Sequence, residues 1–212
     1  MLWGLLALVI CCGQAFLTRE QEFTQLRRKL REIEGTKPNI VLREPNAIHV
    51  ENVSMGLRVS GVPHTEKNVP FVKVRFVNKP NGNYPNSVAQ KVSARIKIFD
   101  LSGNCQVDMA GRWDDTTQPS FISFGLSTTD LQFVDFGIEQ QRGLDIAFRD
   151  TDGTFVAWNN DNYNYQDVRK PEHVLKGNEF RVEVKIVAVW VDETFTFRFG
   201  SGGGTHGIVI TT

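Results

Sequence analysis

The chain reads as mainly β: an antiparallel sandwich, immunoglobulin-like as first choice and jelly-roll-like as second, preceded by an N-terminal transmembrane helix and a short helical stalk. Three observations predict this. Apolar residues recur with period two in several stretches after residue 45, turn-forming residues separate those stretches, and the first seventeen residues carry no charge. Alternation marks half-buried strands, and eight or nine of them without a convincing interior helix pack as two sheets.

The leader, residues 1–17, is "MLWGLLALVICCGQAFL". As a helix it would reach about 26 Å, slightly short of a ~30 Å hydrocarbon core, so the span is expected to be truncated at its start. A signal peptide needs a positive n-region, and here every nearby cation follows the run: Arg19, Arg27, Arg28, Lys29, Arg31 and Lys37. A single-pass anchor fits better, and the positive-inside rule places the following domain in the cytoplasm. Export is the alternative.

Residues 18–35 form the expected juxtamembrane helix, "TREQEFTQLRRKLREIEG", free of Gly and Pro until Gly35 stops it. Phe23, Leu26, Leu30 and Ile33 lie on one stripe at heptad spacing. Two heptads are too few to specify a coiled coil, so the stripe is expected to rest on lipid headgroups or on the domain beyond, with self-association or another protein as the second reading. Residues 36–44 are expected to be a linker.

The sandwich is expected over residues 45–200. "PFVKVRFVN" sets Val72, Val74 and Phe76 on one face against Lys73 and Arg75 on the other. "QKVSARIKIFD" turns Val92, Ala94, Ile96 and Ile98 inward, and "ETFTFRFG" does the same with Phe195, Phe197 and Phe199. "FRVEVKIVAVWVDE" reads as one long strand, its first half solvated on one face and its second half, with Val187, Val189 and Val191, covered on both. "AIHVENV", "GLRVS", "LQFVDFG", "LDIAFRD" and "TFVAWNN" are weaker strands. Asn81-Gly82, Ser102-Gly103 and Asp152-Gly153 supply turns. Residues 201–212, with Gly202, Gly203 and Gly204, are expected to be a flexible tail.

Composition excludes several function classes. Lys plus Arg and Asp plus Glu both number 24, so the basic excess of a nucleic-acid binder is missing. Cys105 is the sole cysteine outside the leader and implies no internal disulfide in the domain. His49, His64, His173 and His206 are scattered singly, in no metal-ligand spacing. Asp114 and Asp115 are neighbours, which an extended chain points to opposite faces, so they make a poor acid–base dyad. "RDTDGT" lacks the ligand spacing of a calcium loop and reads as an Asp-Gly turn. No cofactor, metal or catalytic residue is expected.

One stretch stands apart. "WNNDNYNYQDVRKPEH", residues 158–173, interleaves Trp158, Tyr163 and Tyr165 with Asn159, Asn160, Asp161, Asn162 and Asn164. Asn and Asp accept left-handed backbone and bond their own chain, so the segment builds consecutive turns, its aromatics closing over the sandwich. Trp158, Asn160, Asp161, Tyr163 and Tyr165 are at the same time the candidate ligand-binding residues, because flat aromatics beside amides suit a sugar ring or a peptide. The expected function is a membrane-anchored, non-enzymatic module for protein–protein contact or scaffolding at the membrane surface. An exported carbohydrate- or peptide-binding module is the alternative.

Overall fold

The computed structural model describes residues 19–32, 37–59, 62–79, 87–116, 132–165 and 168–211, with backbone alone over 55–59 and 62–67. The leader, Ile33 and the Asn81-Gly82 turn fall outside the described residues. Among these, no helix is long and apolar enough to cross a membrane.

Residues 19–32 form helix α1. Its apolar stripe is bare, with Phe23, Leu26 and Leu30 each more than half exposed. Arg28 Nε donates to Glu32 Oε1 at 3.1 Å, a surface pair contributing a few tenths of a kcal/mol at most.

Two six-stranded antiparallel sheets make the body. In the first, β3 (Val62–Lys79) is central, with β8 (Gln141–Arg149) on one side and β1 (Asn39–Leu42) and β2 (Ile48–Val59) on the other. Short strands β6 (Arg112–Trp113) and β9 (Phe155–Ala157) pair with β8. The second runs β12 (Ile208–Thr211), β11 (Val191–Ser201), β10 (Glu179–Ala188), β4 (Ala89–Phe99), β5 (Cys105–Ala110), with β7 (Val134–Phe136) also on β4.

The facing surfaces are those that the alternation marks. Val72, Val74 and Phe76 of β3 meet Val92, Ala94, Ile96 and Ile98 of β4, Phe180, Val182, Val184 and Ile186 of β10, and Phe197 and Phe199 of β11. Trp113 is fully buried among them, edge-on to Phe76 and Phe136. Asn78, also fully buried, donates from Nδ2 to the carbonyls of Ser87 (2.7 Å) and Phe136 (3.2 Å) and accepts Asn39 N–H, tying β1, β3 and β7 together.

Three expectations are corrected. The linker contains β1, which pairs Asn39 with Lys79 and Leu42 with Phe76. The tail ends in β12, paired with β11 from Arg198↔Thr211 to Ser201↔Ile208. The long strand expected over residues 180–193 is two strands: β10 stops at Ala188, Val189 and Trp190 make the turn, and Val191 starts β11. The turn escapes notice because Trp190 carries its positive φ of 69°, where Gly or Asn is the usual signal. Val187 and Val189, expected to be covered, are 40% and 57% exposed, whereas Val191 points into the core.

"AIHVENV" and "GLRVS" prove to be one strand, β2, which continues through a register shift at Gly56/Leu57. The resulting β2–β3 hairpin outreaches its sheet. β8 accompanies β3 only from Phe71 to Val77, since Pro70 has no N–H for a ladder and β8 ends at Arg149. Among the described residues, β3 pairs with β2 alone over 62–70 and β2 pairs with β3 alone.

Candidate functional site

The candidate stretch crosses the outer face of the first sheet. That face carries a second apolar cluster: Val69 and Phe71 from β3, Phe148 from β8, Val156 from β9, then Trp158 and Val168. Phe71 and Phe148 stand there because a side chain next to an inward one points outward. On β8 a bulge opposite Val72/Lys73 shifts the alternation, so Ile146 and Ala147 both serve the main core before Phe148 turns out.

Trp158 is 2% exposed and ringed by Phe71, Phe148 and Tyr163, with centroids 5.4, 5.6 and 5.1 Å away, all near edge-to-face. Its backbone N–H donates to Ile146 O at 3.0 Å. It offers no open face for stacking a sugar. Asp161 pairs with Lys170 at 3.1 Å. Asn160 is 3% exposed, and among the described residues neither atom of its amide has a hydrogen-bond partner. Of the five expected binding residues, Tyr165 has the open ring, at 40% exposure.

The residue that organises the stretch is Asn162, fully buried and absent from the expected set. Its Nδ2 donates to the carbonyls of Ala157 (3.1 Å) and Val168 (3.0 Å). Its Oδ1 accepts Asn159 N–H (3.0 Å) and lies 2.9 Å from His173 Nδ1. All four positions of the amide are used, and the network assigns the proton of neutral His173 to Nδ1. Burial, with Lys170 nearby, holds the His173 pKa below the ordinary histidine value. The Asn159 side chain accepts Asp161 N–H, completing a capping box around the 3₁₀ turn Asn160–Asn164. Arg169 then binds Asp150 (3.1 Å) and Asp152 (2.9 Å), filling the "RDTDGT" turn with a guanidinium and bringing the Asp152 pKa down to about 2.

Beside this aromatic cover lies an ion cluster. Lys73, 6% exposed, places Nζ 3.4 Å from Asp114, 3.5 Å from Glu51 and 3.6 Å from Asp145. Arg112, 5% exposed, donates to Asp145 at 2.7 Å and to Thr116 O at 3.0 Å, and its guanidinium stands 5.8 Å from the Tyr163 ring centroid. Arg75 flanks Glu51 at 3.6 Å. Burial holds Asp145 above the ordinary carboxylate range, against the pull of Lys73 and Arg112. Asp114 reaches Lys73 by crossing Gly143, where a Cβ would overlap its carboxylate. Asp115 turns the other way to Arg142, as neighbours in an extended chain must. Three cations face three anions, so the cluster is neutral and its Lys73 ammonium is shared among carboxylates. No group of His, Cys, Asp and Glu suited to a metal ion occurs among the described residues.

Two surfaces remain open. At the end of the body where Asn39 pairs with Lys79, Lys37 lies over the Trp190 ring at 5.8 Å, and Trp190 is 68% exposed. At the other end the β2–β3 ribbon projects. From Val62 to Lys79, β3 measures about 56 Å, of which residues 62–70 extend about 30 Å beyond the last β8 pair. An open cleft of about 260 Å³ at the ribbon's root is lined by Asn68, Pro70, Arg149, Asp150, Thr151 and His206.

Comparison with protein-family models, curated proteins and solved structures returned no match in any of the three.

Proposed function

We propose that the protein is a membrane-anchored, non-enzymatic β-sandwich that mediates protein–protein contact, its domain on the cytoplasmic side. The ribbon carries this reading. A two-stranded hairpin is marginal alone in water, and its unpaired backbone edges are a template for strand addition. It stands at the opposite end of β3 from Lys37, where the chain arrives from the leader and α1, so it would reach away from a membrane toward a partner. The two-sheet body, with the sequence-distant neighbours β3–β8 and β4–β10, supports an immunoglobulin-like or jelly-roll-like sandwich as part of the proposal. The non-enzymatic reading is supported by the neutral, mutually engaged ion cluster, each of whose carboxylates already faces a cation.

The test uses photo-crosslinkers in the full chain in its host cells. Ser54 and Asn68 are exposed and paired across the ribbon. A crosslinker at either should give an adduct of discrete mass, absent when it replaces Arg95 on the outer face of the second sheet. No adduct from the ribbon, or the same adducts from Arg95, would end the contact reading. Recovery of the protein in the soluble fraction after alkaline extraction of membranes would end the anchoring reading, and digestion of the domain on intact cells the orientation.

A further inference from the structure

We propose that the β10–β11 turn is a second membrane contact: Val189 and Trp190 rest in the headgroup–acyl boundary of the bilayer, with Lys37 beside them at the phosphates. The inference rests on the membrane-anchored reading above and adds a docked orientation to it.

The turn has the wrong residues for a turn in water. Ala188 and Val191 are the last pair of the ladder, leaving Val189-Trp190 to reverse the chain. Trp190 takes a φ of 69°, a region that Gly and Asn adopt easily and a bulky aromatic residue rarely does. Strained backbone of this kind persists where the surrounding structure holds it and concentrates at functional sites. The residue accepting the strain then leaves most of its ring in solvent, next to the exposed Val187 and Val189. Neither turn chemistry nor the core calls for an indole at this position.

Its surroundings specify the occupant. An indole has an apolar body and one N–H, which suits the boundary where hydrocarbon meets headgroups, and a lysine beside it can bury its stem while its ammonium stays with phosphate. Lys37 is that lysine, 5.8 Å from the ring centroid. It also follows closely in the chain after α1, whose sequence carries Arg27, Arg28, Lys29 and Arg31, and the uncharged leader lies before that. The turn therefore sits at the end of the body tied to the leader, opposite the ribbon. Two acidic residues at the start of β11 limit the depth: Asp192, paired with Lys185 at 3.0 Å, and Glu193 are both exposed and need water. The insertion is one turn deep.

Tryptophan fluorescence of the full chain in phosphatidylcholine–phosphatidylglycerol vesicles tests this, with bromine placed high or low on the acyl chains. Trp113 and Trp158 are buried in the domain, so the lipid-sensitive signals are those of Trp3 and Trp190. The difference between the wild-type chain and Trp190→Phe isolates Trp190. We expect roughly a twofold loss of that difference signal with high bromine and less with low bromine. Val189→Asp, with Trp190 retained, should abolish the loss while Trp3 quenching persists. A Trp190 signal untouched by bromine while Trp3 is quenched overturns the docked turn and spares the anchor. A Trp190 signal shielded from bromine but blue-shifted points to a second copy of the chain on the turn and equally overturns the lipid contact. Absence of quenching at both positions removes the anchor, and the docked turn with it.

Discussion

Trp158 and Trp190 both stand just past the end of a strand and both sit in tight connections, yet one is 2% exposed and the other 68%. The difference lies in what surrounds each. Trp158 opens a stretch whose Asn and Asp side chains satisfy the backbone internally, Asn162 alone occupying four hydrogen-bonding positions. That freedom from solvent lets the segment lie flat on the sheet with its indole beneath it. Trp190 sits in a two-residue turn at the extremity of the hairpin, with Lys37 over its ring and most of its surface still in solvent. The buried tryptophan thus has polar neighbours in sequence and aromatic ones in space, and the exposed one has apolar neighbours in sequence and mostly solvent in space.

The largest effect expected from this contrast is on stability. Trp158→Ala should cost about 3–5 kcal/mol, and Trp190→Ala about 0.5 kcal/mol or less in either direction, by urea unfolding of the full chain in mild detergent. Equal costs would mean that the second cluster contributes nothing. Asn162→Ala should cost about 2–3 kcal/mol, because it strands two buried carbonyls and removes the acceptor for Asn159 N–H and His173. A loss under about 0.5 kcal/mol would show that the stretch holds its shape without it.

His173 adds a pH dependence to the buried side of the contrast. Its pKa is lower folded than unfolded, so its contribution is present above the ordinary value of 6.5 and is lost as pH falls through the folded value. Unfolding free energies between pH 7 and 5 should fall with acid, and His173→Gln should flatten that slope, leaving the part due to His49, whose pKa burial also lowers. An unchanged slope would place the proton uptake elsewhere. The smallest effect belongs to the exposed side: Trp190→Asn, which relieves the left-handed backbone, should stabilise the fold by up to about 1 kcal/mol. A loss of that size would mean the indole packs on something.

How far these features were legible depends on the range of the interactions behind them. Alternation placed Val72, Val74, Phe76, Val92 through Ile98, Phe180 through Ile186 and Phe195 through Phe199 inward, because period two is a local property of each strand. The turn at Val189-Trp190 was not legible, since its residues continue an apolar alternation and its positive φ lies on a side chain that seldom carries one. Nor was the ion cluster. Lys73 and Asp145 become neighbours only when β3 and β8 pair, and no spacing along the chain encodes that. The candidate stretch was recognised as unusual, but its composition did not identify which polar residue holds it. Asn162 is distinguished from Asn160 by contacts with residues five to eleven positions away, including His173.

The unbroken run of β3 from Val62 to Lys79 has a mechanical consequence. Tension applied between the ribbon and the incoming chain at Asn39 runs parallel to the strands, because β1 and β8 both lie alongside β3. The rungs from Asn39↔Lys79 to Leu42↔Phe76 would then be sheared together and share the load, where a pull across the strands would unzip them one at a time.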